Sequence, residues 1–327
     1  MDGKKVRKEQ ELYIIKHNEL IRAIYDMTAQ QQKIVAYAAS KIKYHDKPGQ
    51  WYEISIEDLC HACGLVMDDT GYYYKSIKED IRKITKRIWI RLPDKREITF
   101  SWFSDAEIVP LSGTVYIKFH ERLDDLLFLL NGNYTQYQLI EIAPFQSKYT
   151  IRLYEYFKMI VKKDKLDTMG EDDPIKFTVS ELRELLAVEG YSRWAEFKRN
   201  VIDKAVDEIN EYSDIFRISY DTYKHGKNVE SINFIVTEPR EIEKYKAHQA
   251  ARARMTMQRK PTERTARKKE KARELLERSK EIESRLMNPA FEPNTESTRE
   301  LLEINKELAA LIPGEKARKT REGEEES

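Results

Sequence analysis

The sequence has 327 residues, of which 35% are charged, and its 58 lysines and arginines nearly balance its 57 aspartates and glutamates. A chain of this length can form two domains of ordinary size, each with its own core. Because the net charge is only +1, the overall charge neither indicates nor excludes an anionic partner such as nucleic acid. Whether such a partner is indicated therefore depends on how charge is distributed along the chain.

The longest apolar stretch, LDDLLFLL near Leu123, is too short and too charged to cross a bilayer, and no apolar segment follows the basic KKVRK. We therefore expect a soluble, cytoplasmic protein without membrane contact. The two cysteines, Cys60 and Cys63, stand in CHAC within a helical pattern. That order does not fit c-type haem and lacks two ligands of a typical zinc site, so we interpret them as buried small residues, with a redox pair as the alternative.

The first predicted helix is TAQQQKIVAYAASKI, which Thr28 can cap at its N-terminus. Its apolar residues recur at helical spacing, and they are Ile34, Val35, Ala38 and Ile42. A short strand at 53–55 and a second helix at 56–63, ended by Gly64, follow. This order of elements is the beginning of a compact domain.

A third predicted helix comes next, with one face in the core, because isoleucines at 77, 81, 84 and 88 step by four, three and four positions. The apolar period then changes from helical to alternating, which predicts strands with one buried face. The alternating residues are Ile88, Ile90 and Leu92, then Ile98, Phe100 and Trp102, then Val115, Ile117 and Phe119. Helix, strand, two helices and a hairpin make a winged helix.

The same order is written again from SKYTIRLYEYFKMIVKK onward. A strand, IKFTV, leads to the helix SELRELLAV with Ser180 as its predicted N-cap. A further helix places Phe197, Val201, Ala205 and Ile209 at every fourth position, and a hairpin turning at Gly226 ends the unit. The segments YEISIEDLCHACGL and KFTVSELRELLAVEG correspond, with Leu59 and Leu182 at matching places.

The predicted fold class is therefore α+β, with two tandem winged-helix domains related by an internal pseudo-repeat and a charged C-terminal tail that is helical or disordered. We place the domains at 1–135 and 136–240 and the tail at 241–327. From 252 to 273 the tail has ten basic and two acidic residues and few large apolar ones. Two amphipathic patches follow, around Ile282 and Ile304, and a helical hairpin, a partner-binding tail and free solvated helices all stay open.

Basic residues concentrate on the third helix of the first unit. They are Lys75, Lys78, Arg82, Lys83, Lys86 and Arg87, against Glu79 and Asp80. Because the isoleucines occupy the inner face, most of these bases lie outward, as neutralisation of DNA phosphates requires. A merely solvated charged face is the alternative interpretation.

The matching helix of the second unit is polarised, with bases early and acids late. The early residues are Arg193, Lys198, Arg199 and Asn200, and the late ones are Asp203, Asp207, Glu208 and Glu211. Arginine and asparagine can pair with guanine and adenine edges in the major groove, whereas the acidic half argues against insertion of the whole helix. The wing tip KHGKN offers Lys224, Lys227 and Asn228 to the backbone or minor groove.

Signatures of catalysis are missing from the sequence. There is no GxxxxGK[ST] loop, no HExxH, and no HxH pair beside a tyrosine of the kind a nicking enzyme uses. The six histidines are scattered singly, and the acidic pairs Asp68/Asp69 and Asp124/Asp125 suit helix capping better than Mg²⁺ binding. We therefore predict a protein that is not an enzyme and that uses neither a cofactor nor a metal.

Three stretches carry a more specific resemblance. HNELIRAIYDMTAQQQKIVAYAASKI, SKYTIRLYEYFK and FKRNVIDKAVDEINEYSDIFRISYDTYKHGKNVESINFIV resemble the plasmid replication initiator (Rep) proteins of the iteron-binding type, over about residues 10 to 238. The resemblance implies binding of short direct repeats at a plasmid origin as a monomer, opening of the duplex, recruitment of the host initiator and helicase machinery, and autoregulation by a homodimer.

Applied to this chain, the resemblance implies that helix 194–210 reads the major groove through Arg193, Lys198, Arg199, Asn200 and Lys204. Lys75, Lys78, Arg82 and Lys83 would bind phosphates of the other part of the repeat. Strands 98–103 and 115–119 would supply the dimer surface. The alternative function is a winged-helix transcriptional regulator without a role at an origin.

Overall fold

The computed structural model describes residues 12–67, 72–109, 113–128, 130, 132–161 and 174–257, and in the tail 271, 274–275, 277–279, 281–282, 299–300, 302–304 and 306–307. The first half contains β1 (Tyr13–His17), α1 (Asn18–Arg22), α2 (Ala29–Ala39), β2 (Trp51–Ser55), α3 (Ile56–Ala62), α4 (Tyr72–Ile84), β3 (Ile88–Arg91), β4 (Glu97–Phe100), β5 (Phe103–Ile108) and β6 (Thr114–Phe119).

A 3-10 turn (Glu121–Leu123) and a π-helical turn (Asp124–Phe128) lead to β7 (Tyr134–Gln138) and α5 (Leu139–Ile142). The second half contains α6 (Lys148–Ile160), β8 (Ile175–Thr178), α7 (Val179–Leu185), α8 (Trp194–Phe197), a π-helical segment (Lys198–Asp203), α9 (Lys204–Tyr212), β9 (Arg217–His225), β10 (Asn228–Thr237) and α10 (Glu241–Met257).

The two halves repeat one architecture, which confirms the predicted pair of winged helices. Each has a three-stranded antiparallel sheet with its first strand beside its last, in the orders β2-β6-β5 and β8-β10-β9. In each, the first strand runs straight into a helix whose fourth residue, Leu59 or Leu182, is fully buried.

The caps of these helices also correspond. Ser55 caps α3, and Thr178 caps α7 in a capping box, accepting a hydrogen bond from the amide of Glu181 at 3.1 Å while its own amide donates to that carboxylate at 2.8 Å. The prediction of Ser180 as the cap was wrong, because the strand already ends at Thr178 and Ser180 is inside the helix.

The strands between Ile88 and Phe119 form two sheets. β3 and β4 make a separate hairpin with Trp89 opposite Thr99, and only β5 and β6 join β2. Trp102, predicted in a strand, lies in the connection to β5, where it is 1% exposed and its amide donates to the carbonyl of Ile84 at 3.1 Å. This anchor ends the hairpin and directs the chain into the wing.

The predicted domain boundary after residue 135 falls inside β7, which pairs along its whole length with β1. Tyr13 lies opposite Gln138, and His17 opposite Tyr134. Residues 134–138 are thus tied to the start of the described chain, and the division at 135/136 stays a prediction.

Helix α6 joins the halves through buried polar contacts. Lys16 Nζ lies 2.6 Å from Glu155 Oε1, with the two side chains 5% and 1% exposed, and the hydroxyl of Tyr137 donates to the same carboxylate oxygen. Arg152 donates to the hydroxyl of Tyr25 at 2.8 Å and to the carbonyl of Ala23 at 2.6 Å. We call these six residues, Lys16, Ala23, Tyr25, Tyr137, Arg152 and Glu155, the α6 junction.

The apolar side of α6 belongs to the second half. Phe157 packs with the rings of Phe216 and Phe234 at 6.4 and 5.2 Å, and Glu208 accepts hydrogen bonds from the amides of Gln146 and Ser147 just before α6 begins. One apolar core therefore runs through both halves.

The tail begins with a packed helix. Ala247, Ala251 and Met255 of α10 are buried, and Arg254 donates to the hydroxyl of Tyr212 on α9. Farther on, Lys271 pairs with Glu307 at 3.3 Å and Arg278 with Glu300, so the described pieces run antiparallel, as in the helical hairpin that the sequence left open. Most of the basic stretch, at 258–270, lies outside the described residues.

Removing one partner of the α6 junction should be costly. We expect Lys16→Met to lower the free energy of unfolding by about 3–5 kcal/mol, because Glu155 keeps its charge in a buried site without its cation. The double variant Lys16→Met/Glu155→Leu should regain most of the loss. Urea unfolding measures both, with the exposed Lys47→Met as control, expected to change stability by less than about 0.5 kcal/mol. A single variant no worse than this control would contradict the expectation.

A second prediction concerns Lys33 of α2, which is 1% exposed and donates to the carbonyl of Ala143 at 2.6 Å. Burial lowers the pKa of this ammonium from 10.5 to about 8. Between these values the unfolded chain binds the proton more tightly than the folded one, so the contribution of Lys33 to stability rises with pH.

The test is the difference in unfolding free energy between the natural protein and Lys33→Met. This difference should shift by about 2 kcal/mol in favour of the natural protein between pH 7 and pH 9.5. Burial raises the pKa of the Cys60 and Cys63 thiols to about 12, which has the opposite effect on how stability changes with pH. Both thiols are present in Lys33→Met as well, so taking the difference removes their effect. A difference independent of pH would contradict the assignment.

Candidate DNA-binding surface

Helix α4 is held on α2 by its inner face. Ile77, Ile81 and Ile84 are at most 3% exposed. Beside them the buried carboxylate of Asp80 accepts hydrogen bonds from the side-chain amides of Gln30 and Gln31, at 2.8 and 2.9 Å. Because both apolar packing and these polar bonds orient α4, its outer face is fixed in space.

The outer face and the turn after it carry the predicted phosphate-binding residues. Lys75, Arg82, Lys83, Lys86 and Arg87 are exposed, and Lys78 is half-buried. Lys83 lies 3.6 Å from Asp80, and Lys75, Arg82, Lys86 and Arg87 have no carboxylate partner within the described part of the chain. A row of unpaired cations on a rigid helix is suited to neutralising phosphates.

The matching helix of the second half, residues 194–212, contains a π-helical turn that the sequence analysis did not predict. Within it, Lys198 Nζ lies 2.8 and 2.9 Å from the two carboxylate oxygens of Asp203, five positions later, and the Tyr220 hydroxyl donates to the same carboxylate. The hydrogen bonds that Lys198 donates to Asp203 raise the pKa of Lys198 above its usual value. Lys198 is therefore held in an intramolecular ion pair, although its side chain is 43% exposed.

Asn200 is also partly engaged, because its side-chain amide donates to the carbonyl of Glu196 at 2.9 Å. Arg193, Arg199 and Lys204 are exposed. The exposed cations of this helix are thus 193, 199 and 204, rather than all five predicted residues.

The acidic residues of this helix should repel DNA phosphates less than their number indicates. Asp203 is paired with Lys198, and Glu208 is 8% exposed and turned toward the amides of Gln146 and Ser147. Only Asp207 and Glu211 of the four late acids are exposed.

The wing of the second half stands beside the start of this helix. Lys224, Lys227 and Asn228 are exposed at the tip of the β9–β10 hairpin, which turns at Gly226 with a φ of +62°. Together with residues of the helix-turn-helix they line a cleft of about 360 Å³. The other lining residues are Val179, Arg183, Ser192, Trp194 and Val229.

Arg183 is a cleft residue that sequence reasoning missed. Its guanidinium donates to the carbonyls of Tyr191 and Gly190 at 2.6 and 3.2 Å and lies 4.1 Å from the centre of the Phe197 ring. It thereby holds the turn before helix 194–212 and adds positive charge to the cleft. As a single arginine on a short amphipathic helix, it formed no pattern in the sequence.

Other kinds of site have little support in the part of the chain that the structure describes. No group of three histidine, cysteine or acidic side chains there could hold a metal ion, and no helix there is long and apolar enough to cross a membrane. Cys60 and Cys63 are 1% and 0% exposed, which confirms their prediction as buried small residues.

Two basic recognition helices on tandem winged helices, one with a basic wing, define a DNA-binding protein of the tandem winged-helix class. Comparison with known families gives the particular group. Residues 13–158 match the family described as "Initiator Replication protein, WH1", and residues 178–236 match "Initiator Rep protein, WH2". The chain belongs to this family of replication initiator proteins, as the resemblance predicted.

Two individual proteins are similar. A "Replication initiation protein" of Escherichia coli is 23% identical over an alignment of 242 residues that covers 71% of this chain and 72% of that protein. The crystal structure of Pi initiator protein in complex with iteron DNA matches with a TM-score of 0.56 and 19% identity, covering 70% of this chain and 99% of that one. This second likeness confirms the fold.

The two basic helices should differ in what they contribute to binding. We expect Arg199→Ala to reduce the preference for specific over random duplex by about 1–3 kcal/mol, because an exposed arginine can pair with a base edge. Arg82→Ala should weaken both kinds of binding alike and lower the salt slope by about 1. Competition binding across a salt series measures both, with Asp207→Asn as a same-helix control for the preference. Equal loss on both DNAs for Arg199→Ala would contradict a base contact.

Proposed function

We propose that this protein initiates replication by binding short direct repeats in duplex DNA at an origin, one protein molecule per repeat. The observation that carries the proposal is the pair of exposed basic helices, α4 and 194–212, held in one body by the α6 junction. Membership of the initiator family supports it, as does the solved relative, which is bound to iteron DNA.

The arrangement fits an asymmetric site. The two recognition helices differ in sequence and come from one chain, so no two-fold symmetry relates the DNA segments that they contact. Once one helix is bound, the other meets its segment at high local concentration, which raises affinity without a second protein molecule. One protein molecule therefore suffices to bind a single repeat.

We propose that the protein acts through the energy of binding to DNA and not by catalysing a chemical reaction. In this proposal the bound protein strains and opens the adjacent duplex and recruits the host initiator and helicase machinery in the cytoplasm. The same chain, as a homodimer, represses its own gene.

The large apolar residues of the strands proposed for dimerisation face inward. Phe100, Phe103, Val115, Ile117 and Phe119 are at most 2% exposed. A dimer through these strands would therefore use polar groups and the unpaired backbone edge of β5, where Ser104, Asp105 and Glu107 are exposed.

The test is in vitro selection from random duplex DNA with the full chain, followed by footprinting and mass measurement of the complex. We expect an asymmetric site of about two helical turns, protected by one monomer. Because the two helices are rigidly joined, they should not reach both protected blocks after 5 or 10 base pairs are inserted between them. Either insertion should therefore abolish the gain in affinity that the second block provides.

Two results would contradict the proposal. Recovery of palindromes bound only by dimers would indicate a transcriptional regulator, and no enrichment at all would indicate that these winged helices contact proteins. An enriched repeat array should also support autonomous replication of a plasmid in cells that supply the protein.

A further inference from the structure

An unusually exposed tryptophan lies on the β3–β4 hairpin. The inward residues of this hairpin, Ile90 and Phe100, are 1% and 0% exposed, whereas Trp89 is 70% exposed on the opposite face. Trp89 shares that face with Arg91 and, on β4, with Glu97 and Thr99. Since the core does not use this indole, an exposed aromatic of this size indicates a binding surface.

The hairpin lies between the two recognition elements. On one side, Lys86 and Arg87 connect it directly to the end of α4. On the other, Arg91 donates to Glu184 Oε1 at 2.6 Å, and Glu184 belongs to α7, the first helix of the second helix-turn-helix. The outer face of the hairpin therefore bridges the two DNA-binding units.

The charge of this face indicates which kind of partner it would bind. Lys86 and Arg87 are exposed and have no carboxylate partner among the described residues. The two hairpin acids are already paired, Glu97 with Arg91 at 3.1 Å and Asp94 with Arg96. An exposed aromatic ring two and three residues after unpaired cations, on the hairpin that directly follows the basic helix α4, is complementary to a polyanion.

We propose that Trp89, with Lys86 and Arg87, forms a third DNA contact, to the middle of the duplex between the segments bound by α4 and by helix 194–212. The indole packs against the deoxyribose wall of a groove, and the two cations bind the flanking phosphates. The contact carries no base-specific hydrogen bond and sets the position of the two recognition helices on the repeat. This inference rests on the proposed function.

The experiment is hydroxyl-radical footprinting and affinity measurement with the full chain on its selected site. We expect Trp89→Ala to lose protection in the centre of the site while both outer blocks stay protected, with affinity about tenfold lower, as is usual for truncation of an aromatic anchor. Trp89→Phe should retain most of the affinity, because a ring still covers the sugar.

Trp51→Ala is the matched control. Trp51 is also exposed, at 51%, but it lies at the start of β2, whereas the end of β2 leads into α3 and the helix-turn-helix. This variant should leave both footprint and affinity unchanged. Thermal unfolding of all three variants checks that they fold.

An unchanged footprint and affinity for folded Trp89→Ala would overturn the proposal. So would a variant that binds DNA normally and loses self-association in sedimentation, because Trp89 would then be a protein contact. Failure of the proposed function is distinguishable from both, since the natural protein itself would then give no specific footprint.

Discussion

The architecture depends on a group of buried charges on α6. Glu155 and Arg152 are 1% and 3% exposed. Lys16, Tyr137, Tyr25 and the carbonyl of Ala23, all from the first half of the chain, are their partners there, and Arg152 also donates to the carbonyl of Leu185 in the second half at 3.5 Å. A buried charge that loses its partner is strongly destabilising, so these contacts act as a geometric constraint more than as a source of net stability. Helix α6 can take up its place in the second core only in the orientation that satisfies them.

This constraint fixes how the two winged helices are arranged relative to each other, which matters for the proposed binding to DNA. Two winged helices on a flexible linker would tolerate many spacings between their DNA segments, and each would lose entropy on binding. Here the halves share one core and a second link, Arg91 to Glu184, joins the first hairpin to the second helix-turn-helix. In the proposed function, this rigid connection makes the protein select the spacing between its two DNA segments as well as their sequence.

Much of the fold follows from local patterns. Periodic isoleucines, alternating strands and the strand-to-helix units around Leu59 and Leu182 identify both winged helices, because each depends on residues near in sequence. The pairing of β1 with β7 was missed, since it joins segments more than a hundred residues apart and each strand is short. The packing of α10 was missed because small residues, Ala247 and Ala251, supply its buried face and leave a weak pattern.

The candidate site was predictable at the level of composition. Clusters of lysine and arginine identify basic helices, and their apolar spacing indicates which face is exposed. Which side chains are free is decided by tertiary contacts instead. Lys198 is paired with Asp203, which also accepts from Tyr220. The π turn that brings Lys198 beside Asp203 replaces the regular helix that the four-residue spacing of Phe197, Val201 and Ala205 predicts.

The most direct test of the rigid arrangement is a distance measured by double electron–electron resonance in the monomeric protein, with and without DNA. Spin labels at Glu79→Cys on α4 and Asp221→Cys on β9 occupy exposed sites outside the predicted contacts, and the native cysteines are buried. The account predicts one narrow distance distribution that shifts little when DNA is bound. A broad or double distribution in the free protein that narrows only with DNA would contradict it.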